Sequence, residues 1–248
     1  MIIMQLDELC HFCNDYLCVD DFDDFCPNGL QVEGKPKISR LVSGVTASLQ
    51  LIDAAIEQNA DAILVHHGYF WKGEPQPLVG YKGNRIRRLM KNDISLLAYH
   101  LPLDDHPTVG NNVQLAQHMG WLVTGQQGML WTGELPGPVS VDIVLEDLGE
   151  KIDSNPLLIV GGHMPVHRIA WCTGAAQSYI DQALEQGVDL YISGEISEQT
   201  VHVAREAGIH YIAAGHHATE RYGVQALGEL IANRFSIQHE YIEIDNPV

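Results

Sequence analysis

The chain has 248 residues, 46% of them hydrophobic, and a formal net charge of −18. That length supplies one large or two small globular cores, and so acidic a field repels phosphates and anionic lipid, which excludes non-specific nucleic-acid binding. No window approaches the roughly 18 apolar residues of a membrane span, and an N-terminus with Asp7 and Glu8 lacks the basic-then-apolar order of a secretory signal, so the expected compartment is the cytoplasm.

In chain order, residues 4–18 read as an amphipathic helix with Leu6, Leu9, Cys13, Tyr16 and Leu17 on one side. Cys10 and Cys13 have C-x-x-C spacing, which raises a zinc or redox role. Their place on that helix also fits small, half-buried apolar residues. Pro27-Asn28-Gly29 signals a turn. Residues 38–46 then read as a strand, 48–59 as a helix, 61–65 as a strand, 83–92 as a helix, 94–99 as a strand and 111–120 as a helix. This alternation predicts an α/β fold with a largely parallel sheet. The Gly- and Pro-rich stretch 121–138 suggests a boundary near residue 125, giving domains 1–125 and 126–248. The final run, 236–244, alternates like a strand that could join either sheet.

The second half repeats the first. When the run from Arg40 is laid on the run from Arg168, Arg40/Arg168, Ala47/Ala175, Asp53/Asp181, Ala55/Ala183, Glu57/Glu185, Gln58/Gln186 and Asp61/Asp189 are identical. Further on, His100 meets His216 and Asp104 meets Glu220, so each half carries His-x-x-x-carboxylate at the same point. The expectation is two similar βαβ-based domains from an internal duplication, with a metal site between them.

In open α/β sheets, ligands gather beyond the carboxyl ends of the strands. Three segments there carry metal-ligand residue types: Val65-His66-His67, His100 to Asp104, and Gly215-His216-His217 to Glu220. Past the end of a strand, neighbouring histidines need not be buried and are free to splay toward two ions. Four-residue spacing sets His216 and Glu220 on one face of the helix expected over 218–233. Imidazole and carboxylate donors suit zinc, iron, manganese, nickel or cobalt. A carboxylate also bridges two ions, so His66, His67, Asp104, His216 and Glu220 read as ligands of two divalent ions, with Glu220 the bridge and His100 a substrate contact or proton carrier. A division with His66 and His216 on one ion and His67 and Asp104 on the other is the simplest. Lys82, Arg85, Arg87, Arg88 and Lys91 place five of the 14 basic residues within ten positions. They form either an anion receptor or a solvated helix face. The remaining histidines, His163 among them, show no pattern.

The stretches PNGLQVEG (27–34), ADAILVHHGYFWKGE (60–74), HLPLDDHP (100–107), SGEISEQTVH (193–202) and AAGHHATERYG (213–223) together resemble the GTP cyclohydrolase I type 2 homologue family, also called NGG-one-interacting-factor-like, and within it the short enterobacterial members. The family's metal motifs fall on His66, His67, Asp104, His216 and Glu220, with its further turn histidine on His100. The resemblance implies a dinuclear centre between two α/β domains and a ring-shaped homohexamer. The short members have Gly68 where many others have Pro. The family name implies opening of the guanine imidazole ring at C8 with release of formate. A metal-dependent hydrolase of a nucleotide or related heterocycle is therefore the first functional expectation. The alternatives are a metal-binding or metal-delivery protein without turnover, and a partner-binding scaffold.

Overall fold

The computed structural model describes residues 3–162 and 165–248, so His163 lies outside the described residues. The chain divides into two compact units, Met1–Val109 with Gly223–Asp245, and Gly110–Tyr222 with Asn246–Val248.

The first unit is built on a five-stranded sheet ordered Gln238–Tyr241, Arg40–Thr46, Ala62–His67, Ser95–Ala98 and Gly29–Val32. The first four strands run parallel, with Leu41 beside Ala62 and Ala62 beside Ser95, and Gly29–Val32 is antiparallel. The two-residue pleat sorts the side chains. Leu41, Leu64 and Leu97 pack toward the Leu6–Tyr16 helix and toward Val224, Leu227 and Ile231. Val42, Ile63, Val65 and Leu96 pack on the other face, with Leu51, Ile52 and Ala55 of the Leu49–Glu57 helix and with Ile86 and Leu89 of the Gly80–Lys91 helix. Central strands buried on both faces need no polar residue, hence the uninterrupted Ala-Ile-Leu-Val run before His66. Ser48 starts the helix after the first parallel strand, its Oγ accepting from Leu51 N at 3.1 Å.

The second unit holds six strands ordered Leu122–Gln127, Leu130–Val139, Val166–Cys172, Leu190–Ser193, His210–Ala213 and Leu157–Ile159. The Val166–Cys172, Leu190–Ser193 and His210–Ala213 strands are parallel and the flanking ones antiparallel. Ile169, Trp171, Leu190, Ile192 and Ile212 face one core, Ala170, Tyr191 and Tyr211 the other.

One local device occurs in each unit. Asp61 Oδ2 accepts from the backbone of Ser39 and Arg40 at 2.9 and 3.1 Å, and Arg40 Nη1 donates to Gln58 O at 2.9 Å. Asp189 Oδ2 accepts from the backbone of His167 and Arg168 at 3.0 and 2.8 Å, and Arg168 donates to Gln186 O. These are residue pairs that the sequence halves share, and each clasp ties the start of a parallel strand to the start of the next.

Two sequence expectations change and one open alternative is decided. The packing divides the chain at Val109/Gly110 and not near 125, because the glycines there build a hairpin: Leu122–Gln127 pairs with Leu130–Val139, and Gly128 takes a positive φ of 58° in the turn. The last strand joins the first sheet, Gln238 pairing with Arg40. The helix expected over 218–233 is two pieces, His216–Thr219 and Arg221–Phe235. Among the described residues no helix is long and apolar enough to cross a membrane.

Candidate metal centre

In the first unit, Ala62–His67 runs through both histidines, so His66 and His67 close the strand instead of following it. Thr46 pairs with His67 in the ladder. The two rings nevertheless stay together, with centroids 4.6 Å apart. The His66 ring lies 5.0 Å from that of His100, and the His67 ring 6.0 Å from it. One potential ligand atom from each of His66, His67 and His100 falls within 4.8 Å of the other two.

Each ring is fixed at Nδ1. His66 Nδ1 donates to Tyr99 O at 2.9 Å, and a carbonyl only accepts, so the lone pair of the neutral ring is on Nε2. His66 is fully buried, and its Nε2 stands 3.4 Å from Asp104 Oδ1. His67 Nδ1 meets Thr46 Oγ1 at 3.1 Å. His100 Nδ1 meets Asp24 Oδ1 at 2.7 Å. Burial opposes the charge on Asp24, but hydrogen bonds from His100, Asn28 and Leu101 outweigh it and hold the carboxyl down at about 2. Asp24 is therefore an acceptor, and His100 presents Nε2. Asp104 is buried in the short Leu101–Asp105 helix that Pro102 opens, its N–H bonded to His100 O at 3.1 Å. Gly68 follows the histidines because a Cβ there would strike Gln31 and Ala98.

In the second unit, His216 Nε2 lies 3.0 Å from Glu220 Oε2, and His216 Nδ1 is 2.7 Å from Glu195 Oε1. Burial pushes the His216 pKa down, yet Glu220 and Glu195 together raise it to about 9. Glu220 is 3% exposed. Thr219 Oγ1, receiving Gly174 N at 3.1 Å and donating to Gly215 O at 2.9 Å, anchors the turn that aims both residues. Gly174 has φ 67°, and a Cβ built there would run into the Glu220 carboxylate and come to 3.4 Å from His216 Nε2. The glycine leaves a cradle in front of the two donors. His217 is buried, with its backbone N–H bonded to Val248 O at 2.8 Å.

The donor set fits divalent cations. A ligating histidine characteristically gives its other ring nitrogen to a carboxylate, carbonyl or hydroxyl, which fixes ring and tautomer. Here all four imidazoles do so. Asp24 and Glu195 were missed by the sequence reading. Asp24 is one of four acids in a loop with no pattern. Glu195 had a signal: on the alignment that pairs Arg40 with Arg168, it falls opposite His67.

Two other candidates recede. Burial of Cys10 and Cys13 on the first helix raises their thiols to about 11 and about 12, and among the described residues neither joins a metal-type cluster. The basic run is partly engaged: Lys82 is buried against Glu74 at 2.9 Å, Arg88 Nε bonds Asp53 at 2.7 Å, and Arg85 lies over the Tyr81 ring.

Residues 4–247 match the family described as Duf34/NIF3 (NGG1p interacting factor 3). The chain belongs to this family. It is 56% identical over 238 residues, 94% of each chain, to a Pseudomonas aeruginosa protein called GTP cyclohydrolase 1 type 2 homolog. It is 47% identical over 246 residues, covering 98% of this chain and all of the other, to an Escherichia coli protein of the same description. A solved structure described as protein ybgI, of unknown function, superposes with a TM-score of 0.97 at 46% identity, over 99% of this chain and 100% of the other.

Proposed function

We propose that the chain is a metal-dependent hydrolase acting on a nucleotide or related heterocycle, in which His66, His67, Asp104, His216 and Glu220 hold two divalent ions. The observation that carries this reading is the set of four imidazoles, each tied at Nδ1, together with the buried carboxylates of Asp104 and Glu220. The corresponding places of His100-Asp104 and His216-Glu220 in the two halves, and the matched Arg–Asp clasps, support descent of both units from one duplicated βαβ element.

When bound, such ions supply Lewis acidity and a water of lowered pKa. Glu220 would hold such ions together with His66, His67, Asp104 and His216. Asp104 neutralises charge beside His66. His100 stands on Nε2 as the group that takes up and returns a proton, because Asp24 holds its Nδ1–H. The name shared by the relatives makes GTP the first nucleotide to offer. A ring-shaped homohexamer in the cytoplasm completes the proposal, and solution mass measurement tests the ring.

Protein reconstituted with zinc, manganese, iron(II), nickel or cobalt is to be offered GTP and other nucleotides while formate release is followed. Turnover that disappears in a folded Glu220→Ala variant supports the reading. Turnover that survives there sinks it, and two bound ions with no turnover on any nucleotide would leave a metal-binding or metal-delivery protein.

A further inference from the structure

The loop after the His66-His67 strand places an aromatic side chain among the imidazoles. The ring of Trp71 is centred 5.0 Å from that of His100 with the planes at 84°, and 6.1 Å from that of His67. It is half-buried, whereas Trp121, Trp131 and Trp171 lie in the core of the second unit. The loop is held from several sides. Phe70 N and Trp71 N both donate to Glu74 Oε2, at 2.9 and 3.2 Å, and Glu74 is paired with buried Lys82. The Lys82 ammonium sits 4.9 Å from the centre of the Phe70 ring, and Lys72 N bonds Phe25 O at 2.7 Å. Phe70 has φ 66°, a conformation that bulky residues avoid. Such strain persists where surrounding contacts over-determine it, and it gathers at binding sites. The indole Nε1 donates to Gly68 O at 3.3 Å, which uses up its one polar group.

We propose that Trp71 is a stacking platform that seats the base of a purine or similar planar nitrogen heterocycle beside His67 and His100. The proposal rests on the reading of the centre as one that acts on nucleotides, and it adds the feature that recognises the base. Indole offers the largest aromatic face available to a protein, and stacking on it accepts any base because every base has a π-face. With Nε1–H bonded to Gly68, Trp71 contributes affinity without choosing between guanine and adenine.

The test uses the metal-loaded full chain and four probes: GMP, AMP, CMP and, as the base-free control, ribose 5-phosphate. Titrations follow tryptophan emission, with the Trp71→Phe variant subtracted to isolate Trp71, and calorimetry measures affinity for parent, Trp71→Phe and Trp71→Leu. The expected result is quenching of Trp71 by the nucleotides and not by ribose 5-phosphate. Binding should weaken by about 5- to 150-fold in Trp71→Leu and little in Trp71→Phe, with bound metal per chain unchanged in both. Equal nucleotide affinity in parent and Trp71→Leu, or no nucleotide binding by the parent, overturns the proposal. The two readings fail separately. No turnover on any nucleotide by the metal-loaded parent removes the hydrolase while base-dependent quenching keeps the platform, and undiminished nucleotide binding in Trp71→Leu removes the platform while metal-dependent turnover keeps the hydrolase.

Discussion

Asp24→Ala should be among the most damaging single changes in the first unit. The Asp24 side chain is 2% exposed and receives His100 Nδ1 at 2.7 Å, Asn28 Nδ2 at 2.8 Å, Leu101 N at 2.9 Å and Phe25 N at 2.5 Å. Truncation leaves those donors in a site without an acceptor. Leaving a buried donor without its acceptor costs about 1–3 kcal/mol. The depressed carboxyl gives a second route: from 3.8 down to about 2 is worth roughly 2.5 kcal/mol at neutral pH. The predicted loss for Asp24→Ala is therefore about 3–4 kcal/mol, and for Asp24→Asn about 2, since the amide keeps one acceptor and turns a donor toward donors. Urea unfolding monitored by circular dichroism at pH 7 reads this as a shift in midpoint. Because the folded pKa lies below the unfolded one, the contribution is full above pH 3.8 and fades as pH falls toward 2, so parent and variant should converge in acid. A loss below about 1 kcal/mol for Asp24→Ala would refute the claim that this carboxylate fixes the His100 turn.

Glu195→Gln should weaken the binding of divalent metal by about 10- to 100-fold, read by chelator competition, because His216 loses the carboxylate that orients Nδ1. Gly174→Ala should lower bound metal per chain, measured by elemental analysis, because the new methyl meets the Glu220 carboxylate and the backbone sits at φ 67°. Asp61 has its pKa lowered: burial opposes the charge, and hydrogen bonds from Ser39, Arg40 and Lys35 outweigh it. Its stabilising effect is present above the ordinary aspartate pKa and lost as pH falls through the depressed value, so the stability gap between parent and Asp61→Asn, followed by urea midpoint against pH, should close only in acid.

The parallel strands were legible because their apolar runs are long and both faces are buried, as in the Ala62 to Val65 stretch. His66, His67, Asp104, His216 and Glu220 could be proposed from the sequence because ligand chemistry and strand-end position are both local properties of a sequence. The partners that aim them could not. Asp24 reaches His100 across 76 residues of chain, and only the folded sheet brings them together. Glu195 became visible only on the alignment of the halves. The boundary was misplaced because Gly125 and Gly128 serve a hairpin, and glycine marks a turn and a linker alike. The exchange of the last strand to the first sheet is a tertiary choice, since Gln238–Tyr241 alternates equally well for either.

The measurement that bears most directly on the central claim is metal content per chain after reconstitution, for the parent and for His66→Ala, Asp104→Ala and Glu220→Ala, with folding verified by circular dichroism. The account predicts about two divalent ions per chain in the parent and a deficit in every variant. A parent that binds none, or folded variants that bind as much as the parent, would contradict it.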